Sequence, residues 1–139
     1  MKLLIRGGRV IDPATQHDDV ADVLLEDGAI VGVERNLAVD DARIVDARGL
    51  VVAPGLVDMH VHFREPGFEY KEDIATGSRA AARGGFTAVA CMPNTNPVLD
   101  TESAVSQVRQ RGNEVGLCRV HPIAAITKGQ KGAELTEMR

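Results

Sequence analysis

Gly55-Leu56-Val57-Asp58-Met59-His60-Val61-His62-Phe63-Arg64-Glu65-Pro66-Gly67 starts as a short run rich in apolar residues and ends in a Pro-Gly break. That is the pattern of a buried strand running out into a loop. Strict alternation along the strand puts Asp58, His60 and His62 on one face and Val57, Met59 and Val61 on the other. The second face is expected to pack, and the first carries chemistry. Positions two apart on a strand lie roughly 6.5–7 Å from each other at the backbone, near enough for both imidazoles to converge on one metal ion. Taken alone, the His-X-His pair fits two ordinary polar residues equally well. The acid on the same face, the arginine two residues on and the turn that would hold it near a metal favour the metal pair.

Composition bounds the rest. With 139 residues, 44% hydrophobic and 26% charged, the chain has the ordinary balance of one soluble globular domain. Disorder and membrane spans are not expected. The net charge of −4 and the pI near 5.5 offer no basic nucleic-acid surface, and the charges are interspersed. A small anionic metabolite would need its own local positive site. Met1-Lys2-Leu3-Leu4-Ile5-Arg6 falls far short of a signal-peptide core, so a cytoplasmic location is expected. Cys91 and Cys118 have neither metal nor disulfide spacing and are expected to be buried free thiols.

Residues 1–53 read as short strands joined by turns. Lys2–Ile5 and Arg9–Ile11 flank Gly7-Gly8, and Val20–Glu26 and Ala29–Val33 flank Asp27-Gly28, a strong hairpin signal. Arg43–Val45 and Leu50–Val52 are further strand candidates. Asp12, His17, Asp18, Asp19 and Asp22 are the one polar cluster, in a turn-rich segment best read as a solvated loop. So small a sheet has difficulty closing its own core.

From Pro54 the rhythm alternates. Leu56–His62 is a strand, Lys71–Arg83 a helix closing on Gly84-Gly85, and Phe86–Met92 a second strand stopped by Pro93. Lys71, Glu72 and Asp73 form the solvated first turn of that helix. Asp100 is the expected N-cap of a helix through about Arg111, ended by Gly112. Val115–Val120 opens a third strand, and 132–139 the start of a third helix. The strand starts at Leu56, Phe86 and Val115 are 30 and 29 residues apart, the spacing of βα units with parallel strands and right-handed crossovers.

Two α/β architectures share this rhythm. A doubly wound sheet would carry a glycine-rich phosphate loop after its first strand, and none is present. A (β/α)8 TIM barrel gathers its functional groups at the C-terminal ends of strands, where His60, His62, Arg64 and Asn94 fall. Such a barrel takes about 250 residues, so the expectation is its first three βα units over 54–139, preceded over 1–53 by part of a small β-sandwich.

The stretch from Gly55 to His62 resembles the first barrel strand of the amidohydrolase superfamily. More narrowly, His60-Val61-His62-Phe63-Arg64-Glu65-Pro66-Gly67, Lys71-Glu72-Asp73-Ile74-Ala75-Thr76-Gly77, Gly84-Gly85-Phe86-Thr87 and Met92-Pro93-Asn94-Thr95-Asn96-Pro97 resemble class I (long-form) dihydroorotases, a likeness running over the whole chain. The resemblance implies zinc-dependent, reversible hydrolysis of dihydroorotate to N-carbamoyl-aspartate in pyrimidine biosynthesis. It implies His60 and His62 as ligands of one or two zinc ions, and Arg64 and Asn94 as the grip on the substrate carboxylate. No general base is assigned: by the same resemblance the remaining ligands and the proton-shuttling carboxylate come after Arg139, and residues 1–139 alone are expected to be inactive.

Other readings stand beside these. Arg64 could pair locally with Glu65, and Asn94 could initiate a turn. Asp58 could orient a ligand imidazole as a hydrogen-bond acceptor behind it or be a buried acid satisfied by backbone donors. His121, followed by Pro122, is read as a wall or loop position. An allantoinase or hydantoinase would share the histidines with less reason to carry Arg64 and Asn94. A non-catalytic subunit supporting aspartate carbamoyltransferase would have less reason to keep both histidines. A homo-oligomer is expected, and a complex with a carbamoyltransferase is admitted by the resemblance.

Overall fold

Glycine decides how the N-terminal sheet is built. Gly7-Gly8, expected to separate two strands, instead lies inside one, β1 (Lys2–Asp12). Against β2 (His17–Glu26) the register shifts between Ile5 and Gly8, so β1 carries one extra residue there. Gly7 adopts φ 72°, the left-handed conformation that makes such a bulge inexpensive. The amide of Gly7 donates to Asp22 Oδ1 at 2.8 Å, and the other carboxylate oxygen accepts from Leu37 N at 3.0 Å. Asp22 is therefore buried and satisfied, and not part of a solvated loop.

The chain is described over residues 1–137 by a computed structural model, and it divides into two compact units, Met1–Pro54 and Gly55–Arg139. In the first, β2 turns at Asp27 (φ 49°) and Gly28 (φ 85°) into β3 (Ala29–Glu34), the hairpin its turn residues call for. β4 (Ala42–Asp46) and β5 (Val51–Val52) pair with β1 in parallel, giving the order β3-β2-β1-β4 with β5 beside the far end of β1. Val10, Ala21 and Val23 form its small core.

The second unit holds a parallel sheet, β6 (Leu56–Val61), β7 (Phe86–Cys91) and β8 (Arg119–Pro122), in that order, with α1 (Ile74–Arg83) and α2 (Glu102–Val115) in the crossovers. Phe63, Ile74, Val89, Cys91, Leu99, Val108 and Val120 make one core where the helices meet the strands. The fold class is α/β, and several boundaries differ from the sequence expectation for local reasons. α1 begins at Ile74 because Asp73 is its N-cap, exchanging hydrogen bonds with Thr76 in a capping box, so Lys71 and Glu72 precede the helix. Thr101, not Asp100, caps α2. The Asp100 carboxylate accepts from Gly129 N at 2.6 Å instead.

Gly112 does not end α2. A β-carbon there would stand 2.6 Å from Val120 Cβ, so the glycine lets the helix lie close on β8, and the left-handed cap is Gly116, at φ 65°. The third strand accordingly starts at Arg119. Over 132–137 there is no helix: a short 3-10 turn at Lys128–Gln130 and a bridge between Thr127 and Leu135 fold the chain back, with Gly129 and Gly132 at positive φ. The last two residues of the expected third helix, Met138 and Arg139, lie outside the described residues.

Candidate metal and anion site

The histidine strand is itself irregular. Asp58 pairs with Val89 and Val61 with Cys91, so three steps on β6 oppose two on β7 and the extra residue falls at Met59-His60. Partners across a parallel ladder share a face. Asp58 and Val61 therefore lie with Val89 and Cys91, on the side where the helices pack, and His60 lies opposite, while His62, just past the strand, borders the same cleft beside α1 as Asp58. The bulge breaks the alternation that was to put Asp58 with the histidines. It also leaves Val57 and Met59 exposed, so that only Val61 of the three packs against the core. Asp58, Glu72, Gly77 and Phe86 line a cleft of about 320 Å3 beside α1.

Asp58 has a different task. Its Oδ1 accepts from His60 N at 3.0 Å, taking up an amide that the bulge removes from the ladder. Of the two readings left open for this acid, the bond to a backbone donor is the one observed, although Asp58 is half-buried and not the buried acid expected. The carboxylate fixes the main chain from which the first imidazole projects.

The two imidazole centres are 5.3 Å apart with their planes inclined at 57°. Two histidines bonded to one tetrahedral zinc through roughly 2.1 Å contacts have ring centres about 5 Å apart. The pair thus fits two ligand positions. Among the described residues no third His, Cys, Asp or Glu converges with them. His121, on β8, pairs with Ala90 of β7, is exposed, and does not join the two histidines.

His62 has a partner that the sequence did not suggest: Nδ1 lies 2.8 Å from Asn94 Oδ1. Asn94 leaves the end of β7, and its side chain is free for this because Thr95 ties the turn. The Thr95 amide donates to Pro93 O at 2.8 Å and its hydroxyl to Pro97 O at 2.7 Å. Turn initiation by the Asn94 side chain is not what the structure shows.

Arg64, half-buried, follows the strand in the left-handed conformation, at φ 63°. It has no carboxylate within ion-pair distance among the described residues. Glu65, the neighbour that could have paired with it, is used elsewhere: Oε2 accepts from Ile74 N at 2.8 Å, and Oε1 lies 3.6 Å from Arg111 Nε of α2. That carboxylate anchors the loop to both helices, a role with no local sequence signal, since its partners are 9 residues away and on another helix. Gly67 completes the arrangement. At φ 95° it lies so close to the next loop that a β-carbon would stand 2.1 Å from Asn96 O, while Pro66 O accepts from Asn96 N at 2.9 Å. The loop bearing Arg64 and the loop bearing Asn94 are thereby tied.

The remaining sulfur chemistry is quiet. Burial pushes the Cys91 thiol up to about 11, so it is neutral at physiological pH, and Cys118 is half-buried. A pair of imidazoles, an unpaired guanidinium and a carboxamide at the C-terminal ends of β6 and β7 can hold a cation and grip a carboxylate. They supply no carboxylate of their own for proton transfer.

Residues 49–139 match the family model described as Dihydro-orotase-like. The dihydroorotase of Geobacter sulfurreducens is 56% identical over 139 residues, covering 99% of this chain and 33% of the relative. That of Aquifex aeolicus is 49% identical over 137 residues, covering 99% and 32%. The chain thus spans about a third of the length of these curated relatives. Among solved structures, an L-hydantoinase (dihydropyrimidinase) from Arthrobacter aurescens aligns at TM-score 0.81 and 24% identity over 90% of this chain and 28% of that one. A D-hydantoinase aligns at TM-score 0.74 and 28% identity over 93% and 29%. The likeness to these two is one of fold.

Proposed function

The chain belongs to the dihydro-orotase-like family, and from that premise we propose that it is the metal- and carboxylate-binding beginning of a dihydroorotase. In this reading residues 1–53 are part of the accessory β-sandwich and 54–139 the first three βα units of a (β/α)8 barrel. The reaction is the reversible hydrolysis of the cyclic amide of dihydroorotate to N-carbamoyl-L-aspartate, in the cytoplasm, within pyrimidine biosynthesis. The observation that carries the reading is the imidazole pair at metal-sharing separation beside an arginine that no carboxylate among the described residues neutralises.

His60 and His62 are two of the ligands of one or two zinc ions, and the others, with the general base, come from residues after Arg139. When bound, zinc supplies Lewis acidity at the carbonyl oxygen and makes water more acidic near neutral pH. Arg64 grips the substrate carboxylate with two parallel N–H donors, and Asn94 adds an amide N–H from the next strand. Holding the remote carboxylate presents the ring carbonyl in one orientation, so part of the barrier is met by positioning. The left-handed backbone at Arg64, the anchored Glu65 and the close contact at Gly67 support a fixed origin for that guanidinium. A homo-oligomer is part of this proposal, as is the option of a complex with aspartate carbamoyltransferase.

The test is a substrate panel on the complete protein. Turnover of dihydroorotate, abolished by chelation and restored by zinc, is expected, with allantoin and hydantoin poor substrates. Arg64→Lys should raise KM for dihydroorotate about tenfold or more, because a bidentate charged contact becomes a single one. Preference for hydantoin would instead favour the alternative cyclic amidase reading. A complete protein that binds no zinc would favour the non-catalytic subunit.

A further inference from the structure

A neutral imidazole has one N–H and one lone pair, and a carboxamide oxygen only accepts. With Asn94 Oδ1 at 2.8 Å from His62 Nδ1, a neutral ring that bonds it carries its hydrogen on Nδ1 and its lone pair on Nε2. The opposite amide orientation would direct Nδ2 at Nδ1, place the hydrogen on Nε2 and leave the ring without a nitrogen free for a cation. The two arrangements are mutually exclusive. Asn94 is available for this bond because Thr95 has taken the turn, and with Oδ1 engaged its NH2 group diverges from His62 and has no protein partner among the described residues.

We propose that Asn94 is a positioning residue for His62, its carbonyl holding the ring as the Nδ1–H tautomer with Nε2 offered to the metal, while the NH2 of the same carboxamide faces the substrate carboxylate. One side chain thereby serves two subsites through its two ends. The inference rests on the reading of His62 as a metal ligand and adds a task to Asn94 beyond gripping substrate. Asp58 does the corresponding work for His60 at the backbone, so each imidazole is fixed by a different kind of contact.

The test uses the complete protein with 15N-labelled histidine, stripped of metal. Long-range 1H–15N spectra separate protonated from unprotonated ring nitrogens, and the His62 signals are identified by their loss in His62→Gln. The expected result is Nδ1–H at His62. Zinc affinity, measured by competition with a chromogenic chelator, should fall about 10–100-fold in Asn94→Ala. In Asn94→Asp, which keeps an acceptor and loses the donor, it should stay within about threefold, while KM for dihydroorotate rises. Nε2–H in the unsubstituted protein, or full zinc affinity in a folded Asn94→Ala, overturns the inference. If Asn94→Ala does not fold, the tautomer of the unsubstituted protein decides alone. If the tautomer and zinc results hold but dihydroorotate is not turned over, the substrate reading fails and the positioning role stands.

Discussion

At Arg64 two demands on one residue conflict. A non-glycine residue in the left-handed region carries a backbone cost of about 1–2 kcal/mol, which glycine would relieve. Glycine in turn loses roughly 0.5–1 kcal/mol through the greater freedom of the unfolded chain. The two nearly cancel, so Arg64→Gly is expected to shift unfolding free energy by no more than about 1 kcal/mol while carboxylate binding is lost. Denaturant unfolding alongside ligand titration checks this. A large fall in stability would mean that the guanidinium holds the fold and does not wait for a ligand. Neighbouring residues obey plainer rules: Asp58 closes a bulge, Glu65 caps a helix, and Cys91 is protonated by burial.

At the scale of elements, the contact between α1 and the loop that follows β6 turns on Gly77. A β-carbon there would stand 2.4 Å from two atoms of the buried Phe63 ring, and Phe63 lies between His62 and Arg64 in the chain. Alanine should favour the helix by about 1 kcal/mol, but overpacking a full ring costs about 1–3 kcal/mol, so the clash wins. Gly77→Ala is expected to lower the unfolding midpoint and weaken zinc binding together, measured by thermal unfolding and chelator competition. The start of the same helix is pH-sensitive. The Thr76 amide, bonded to the Asp73 carboxylate, draws its pKa below the ordinary value. The charged cap therefore stabilises the folded state above the unfolded pKa, near 4, and this is lost as pH falls through the depressed folded value. Far-UV circular dichroism between pH 5 and 2 should show Asp73→Asn, a neutral cap, to have a shallower acid dependence than the unsubstituted protein.

Where the sequence was readable and where it was not follows from the range of the forces. The Asp27-Gly28 hairpin, the βα alternation and the His-X-His pair are written in neighbouring residues, and they are found in the structure. The bulge at Met59-His60 is invisible locally because it is set by how β6 meets β7 some 30 residues on. The same holds for Gly112, which looks like a helix end until Val120 is seen against it, and for Asn94, whose partner is 32 residues away.

Over the whole molecule, the parallel sheet has β6 and β8 as outer strands, and Leu56, Val57 and Met59 are exposed by 54%, 62% and 77%. Apolar residues on an unpaired edge are an association hazard. A polypeptide of residues 1–139 alone is expected to bind a hydrophobic dye and to show no dihydroorotate turnover, since it brings two histidines at metal-sharing separation and no converging third donor among the described residues. A stopped-flow dye measurement and a coupled assay check both, and turnover by the segment would count against the division of labour proposed above.

The ladders of the first unit hold a consequence for biosynthesis. Among the described residues the strands that pair with β1 all fall before Pro54, so those ladders can form while later residues are still being added at the ribosome. The histidine strand, made next, must await β7 some 30 residues on, a delay of roughly 2–6 s at ordinary elongation rates, and during that interval its backbone lacks the ladder partner it has in the folded sheet.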